Sequence, residues 1–99
     1  MTHKFVLRYT QTYLNKHSSL ISKNKKLALK ITKSLEILSI DPLNHSLYSH
    51  KVSAVGIGEA RSSRVTGDIR IIWNYDKQEK LIILILNIGS HSGGDKVYK

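Results

Sequence analysis

The chain has no cysteine and only one proline among its 99 residues, and no aspartate or glutamate precedes Glu36. The absence of cysteine excludes disulfides and thiolate metal sites, and it suits a reducing compartment, so a cytoplasmic setting is expected. Long apolar runs are also missing. The longest, Leu81–Leu86, is far too short to cross a bilayer, so no membrane association is expected. The stretch MTHKFVLRYT has no extended apolar core, which argues against a secretory signal. The five histidines show no His-x-x-x-His spacing, and GIG is the nearest approach to a phosphate-cradling glycine motif. Neither a metal nor a cofactor is therefore expected.

What is present points to a folded, basic protein. An apolar content of 40% in 99 residues suits one domain, residues 1–99, around one modest core. The formal net charge is +9, and it is unevenly placed. Lys4, Arg8, Lys16, Lys23, Lys25, Lys26, Lys30 and Lys33 all precede the first acid. From Glu36 onward eight basic residues face seven acidic ones. Such a one-sided field attracts polyanions, either nucleic acid or an acidic protein.

The hydrophobic pattern gives the order of elements. KFVLRY reads as a short strand, and Thr10 is placed to cap a helix through TQTYLNKHSSLI. Ser22 is the expected cap of a second helix, whose apolar stripe is Leu27, Ile31, Leu35 and Leu38. Asp41-Pro42 ends it, because proline disfavours helical geometry at the preceding residue. SHKV, EARSSRV, IRIIWNY and KLIILILNIG then form a meander of three or four strands, with Gly67-Asp68 as a two-residue hairpin signal. The last strand is apolar on both faces, so it belongs inside the sheet. Strict alternation puts Ile82, Leu84, Leu86 and Ile88 on one face, and Leu81, Ile83, Ile85 and Asn87 on the other, with His91 continuing the Asn87 side.

HKV with a glycine-containing loop, RSSRVTGDIRIIW, a long apolar strand, GSH and VY resemble, in that order, the RelE/ParE superfamily of bacterial toxin components. The resemblance implies an α+β fold: a small twisted antiparallel sheet of about four strands with two N-terminal helices on one face. In the nuclease branches it implies a ribosome-dependent messenger-RNA endoribonuclease inhibited by a cognate acidic antitoxin. The ParE branch implies a gyrase inhibitor instead, and a member that binds without cutting is a third alternative. Arg70 matches the arginine that contacts the scissile phosphate, and Tyr98 the C-terminal tyrosine. His91 and His50 match histidines of YafQ-like toxins, and Asp68 matches their hairpin aspartate. Ser63 and Asn87 depart from that pattern, standing where a histidine and an arginine are expected.

The chemistry suits those residue types. Metal-free RNA cleavage needs a base for the 2′-hydroxyl, donors for the crowded phosphorane and an acid for the departing 5′-oxygen. Histidine serves either proton role, arginine grips phosphate oxygens with a permanently charged fork, and tyrosine stacks on a base or orients the phosphate. The candidate catalytic set is His50, Arg70, His91 and Tyr98, and the candidate RNA contacts are Lys51, Arg61, Arg64 and Asn87. Each has a plainer reading: His91 as a strand end, His50 and Arg70 as solvated surface, Arg61 and Arg64 as solvated charges, Trp73 and Tyr75 as packing residues.

Overall fold

Thr10 opens the first helix as expected. Its hydroxyl accepts from the Tyr13 N–H at 3.1 Å, and α1 runs Gln11–Ile21 after the short strand β1, Val6–Tyr9. The second helix starts later than the sequence suggested. Ser22 ends the first helix and donates its hydroxyl to the Ser19 carbonyl, so Asn24 takes the cap and accepts from the Leu27 N–H. Helix α2 then runs Lys25–Ile40 and stops at Asp41, before the proline. The computed structural model describes residues 4–90. A one-turn 3-10 helix, His45–Leu47, leads into β2 (His50–Ala54), β3 (Gly58–Arg64), β4 (Ile69–Tyr75) and β5 (Ile82–Ser90).

The sheet has five strands in the order β1-β5-β4-β3-β2 and is mixed, where about four antiparallel strands were expected. The difference lies in β1. The two helices carry the chain back over one face before the meander begins, so β1 enters beside β5 and runs parallel to it, Val6 opposite Ile82 and Tyr9 opposite Ile85. Strand β5 lies inside the sheet, between β1 and β4, as expected. Tyr13, Leu27, Ile31 and Leu38 from the helices close on Ile71, Trp73, Ile83, Ile85 and Ile88 to make the main core. A smaller cluster of Ala54, Ala60 and Ile72, with Val52 and Leu86 against it, occupies the far face of the sheet.

Strict alternation fails in β5, and the failure has a structural cause. Trp73 pairs with Ile85 but Ile72 pairs with Asn87, so Leu86 is an extra residue, a β-bulge. The Leu86 carbonyl accepts from the Thr10 hydroxyl at 2.8 Å. One inserted residue exchanges the faces beyond it. Ile88 therefore joins Ile83 and Ile85 under the helices, and Asn87 turns to the far face opposite Ile72.

A buried hydroxyl chain ties the connector after α2 to the sheet. Trp73 Nε1 donates to Ser63 Oγ at 2.7 Å, Ser63 and Ser49 hydroxyls meet at 2.6 Å, and Ser49 Oγ donates to the Pro42 carbonyl at 2.7 Å. Each hydroxyl has one proton. Ser49 spends its proton on Pro42, so Ser63 donates to Ser49 and accepts from the indole. Ser63→Ala leaves a buried indole N–H without its acceptor and is expected to cost about 1–3 kcal/mol. Urea unfolding followed by the fluorescence of the single tryptophan checks this; an unchanged midpoint would show that the chain is not what holds the connector.

Candidate functional site

The far face of the sheet gathers the polar side chains through register. His50 pairs with Ser62, Ser62 with Ile72 and Ile72 with Asn87, so these four residues form one row across four strands. The next row holds Arg64 opposite Arg70, and Arg70 opposite Gly89. From strand spacing and rise, His50 and Asn87 are roughly 14 Å apart, and His50 and Arg70 roughly 12 Å apart between Cα positions.

The β3–β4 hairpin sets the arginine pair. Its connection is Thr66, Gly67 and Asp68, three residues instead of the expected two, because the Val65 N–H still bonds the Ile69 carbonyl at 2.9 Å. The Thr66 hydroxyl accepts from both the Asp68 and Ile69 N–H groups, and it, in place of a positive-φ glycine, closes the turn. The Thr66 carbonyl then points back to the arginines. Arg70 donates to it at 2.6 Å and Arg64 at 3.3 Å. Two like charges directly opposite one another on adjacent strands repel. Here both guanidinium groups converge on one neutral carbonyl, which leaves net positive potential beside it.

His50 is exposed, and its Nδ1 lies 2.9 Å from the Tyr48 carbonyl. A carbonyl only accepts, so Nδ1 carries the proton and Nε2 of the neutral ring keeps its lone pair. Asn87 shares the row but is only 8% exposed, and its Oδ1 accepts from the Ile88 N–H at 2.9 Å. It lines a cleft of about 270 Å³ with Thr10, Thr12, Gly56 and Leu86.

The remaining sequence candidates lie elsewhere. Lys51 pairs with Arg61, and Arg61 with Trp73, on the helix side of the sheet. Arg61 stacks over the Tyr75 ring at 4.9 Å and the Trp73 ring at 5.8 Å, and donates to Asn74 Oδ1. Its guanidinium is thus occupied in packing. Ser63 faces the same side, 1% exposed, within the hydroxyl chain. His91 and Tyr98 lie outside the described residues. The structure therefore brings together His50, Arg64 and Arg70, with Asn87 at the far end of the row, and separates them from Lys51 and Arg61. Tyr48, which the sequence reading passed over, joins the group through Arg64, whose guanidinium lies 5.1 Å from its ring centre.

Electrostatics favour an anionic partner. Helix α2 has Lys25 and Lys26 in its first turn and no acid there, against the preference of a helix N-terminus for negative charge. Tyr9, Tyr13 and Asp76 have displaced pKa values. Burial raises those of Tyr9 and Tyr13, with Tyr9 adding to the effect on Tyr13. N–H groups of Glu79 and Gln78 lower that of Asp76 in the β4–β5 turn. Among the described residues, no group of three or more His, Asp or Glu side chains is placed to hold a metal ion, and no helix is long and apolar enough to cross a membrane.

No protein-family model matches the sequence, and neither does any curated protein. Solved structures do match its shape. A chain of the archaeal RelE–RelB complex from Pyrococcus horikoshii superposes with a TM-score of 0.70 at 17% identity, over 92% of this chain and 99% of that one. A chain of the DinJ–YafQ toxin–antitoxin complex of E. coli gives 0.65 at 19% identity, over 89% and 93%. The YoeB dimer of Staphylococcus aureus gives 0.67 at 15% identity, over 85% and 93%. The chain has the RelE/ParE toxin fold. At these identities the likeness fixes the arrangement of helices and strands, and the RelE/ParE-type sheet is the one whose far face carries His50, Arg64 and Arg70.

If the arginine pair is an anion site, inorganic phosphate raises the thermal midpoint of the wild type more than that of Arg70→Ala, because a ligand stabilises the folded state in proportion to its occupancy. Equal shifts in the two proteins would remove Arg70 from any such site.

Proposed function

We propose that this protein is a toxin of a toxin–antitoxin pair and acts as a metal-independent endoribonuclease on messenger RNA at the ribosome. The observation that carries the reading is the far-face grouping: a histidine with a defined free nitrogen, one row from two arginines that share a single neutral acceptor. The fold it shares with toxin chains solved in complex with antitoxins supports the same reading.

In this mechanism His50 Nε2 takes the proton of the 2′-hydroxyl, and the 2′-oxygen attacks the adjacent phosphorus. Arg70 and Arg64 bond the non-bridging oxygens as charge builds in the phosphorane. The 5′-oxygen leaves with a proton, and the products are a 2′,3′-cyclic phosphate and a 5′-hydroxyl. His91 and Tyr98 complete the set on sequence grounds, as proton donor and as the group orienting the phosphate. The partner is an acidic antitoxin, drawn by the net charge of +9 and able to neutralise the arginine pair.

Arg70→Ala is expected to lower cleavage about 100- to 1,000-fold in a folded protein, as for loss of one charged oxyanion donor. Mapping messenger ends after adding each protein to a translating extract reads this out. Gyrase-linked DNA breaks with intact messenger would contradict the nuclease reading and favour the ParE one. His50→Gln is expected to slow cleavage far more than it weakens RNA binding and to remove one limb of the pH–rate profile, since glutamine hydrogen-bonds but does not exchange protons near neutrality. An unchanged profile would remove His50 from proton transfer.

A further inference from the structure

Tyr48 is the only non-glycine residue with positive φ among the described residues, at φ 48° and ψ 43°. That left-handed conformation is disfavoured for a residue with a Cβ, and glycine or asparagine adopts it more readily. Burial gives no compensation, since Tyr48 is 64% exposed. Strained backbone at an exposed aromatic is a pattern of functional positions. The surroundings say what the ring is for. The Arg64 guanidinium lies 5.1 Å from the ring centre, and Arg64 is the cross-strand partner of Arg70. The Tyr48 carbonyl holds His50 Nδ1 at 2.9 Å, while its own N–H donates to the His45 carbonyl at 3.2 Å. The same residue thus orients the histidine through its carbonyl and presents its ring to Arg64.

We infer that Tyr48 is a stacking platform that seats an RNA base between the His50 imidazole and the Arg64–Arg70 pair. The inference rests on the endoribonuclease reading and adds to it the group that would hold the base. A nucleotide offers an aromatic base, a sugar hydroxyl and a phosphate. Tyr48, His50 and the two arginines offer a ring, a proton acceptor and paired cations at one end of the sheet, where β2 and β4 begin and β3 finishes. The Arg64 guanidinium lies over one face of this exposed ring, and a base would stack on the other. Trp73 and Tyr75 do not compete for this role, because Trp73 is fully buried and Tyr75 is partly buried against the main core. Selectivity from such a platform favours bases that stack well and tolerates changes in hydrogen-bonding pattern.

The test uses a short single-stranded RNA with one 2-aminopurine and a 2′-deoxy sugar at the same nucleotide, so that it binds without being cut there. Wild type and Tyr48→Phe are expected to quench the 2-aminopurine on binding. Tyr48→Leu and Tyr48→Asn are expected to lose the quench and to weaken binding about 5- to 150-fold at fixed salt, the range for one base–aromatic stack. The salt dependence should be unchanged in these variants, because no cation is lost. Tyr48→Asn should also unfold at the same or a higher temperature than wild type, which excludes misfolding as the cause. Arg70→Ala serves as the contrast, with a shallower salt dependence and the quench of bound RNA retained. Full quenching and wild-type affinity in Tyr48→Leu would overturn the platform while leaving the nuclease reading in place. A wild type that binds no RNA even at low salt would overturn both.

Discussion

The hydrogen bond from the Thr10 hydroxyl to the Leu86 carbonyl joins the start of the first helix to the one irregular residue of the longest strand. The bulge at Leu86 leaves that carbonyl outside the regular ladder, and a helix cap supplies its donor. Everything beyond the bulge depends on it. Without the extra residue, Ile88 would face away from the helices and Asn87 would be forced under them. With it, the apolar side chains Ile83, Ile85 and Ile88 stay in one core, and the far face receives Asn87 and Gly89 beside Ile72 and Arg70.

A second tether acts from the other edge of the sheet. The Trp73–Ser63–Ser49–Pro42 chain turns the Ser49 side chain inward, and its neighbours Tyr48 and His50 are both exposed. The core thereby fixes the residues that flank it. Between the two tethers, the Thr66 carbonyl holds Arg64 and Arg70 together against their mutual repulsion. The bonds on this pair that set its geometry go to main-chain carbonyl oxygens, so its charge is available to an anion.

Much of the fold was legible because it is local. Thr10, Asp41-Pro42, the stripe from Leu27 to Leu38 and the strands of the meander follow from capping, proline and periodicity. The parallel pairing of β1 was not legible, since KFVLRY carries no signal for the strand it will join. The bulge was hidden too. A run of apolar residues such as ILILNI reads the same with or without an inserted position, and only the partner strand reveals the shift. The candidate site was half legible. His50 and Arg70 were named through the resemblance to a known family and Arg64 as a phosphate contact or solvated charge, but Lys51 and Arg61 are separated from them by alternation that depends on register. Ser63 was a mismatch in sequence and proves to be the acceptor for the buried indole. Tyr48 escaped notice because a left-handed tyrosine has no sequence signature.

The far-face grouping is open to a direct test by amide chemical-shift mapping. A short single-stranded RNA is titrated into isotopically labelled protein at moderate salt. Binding at the far face predicts that the largest shifts fall on His50, Arg64, Thr66 and Arg70 and their strand neighbours, with α2 little affected. Largest shifts along Lys25–Lys33 of α2, with β2, β3 and β4 unmoved, would contradict it and leave the basic helix as the nucleic-acid contact.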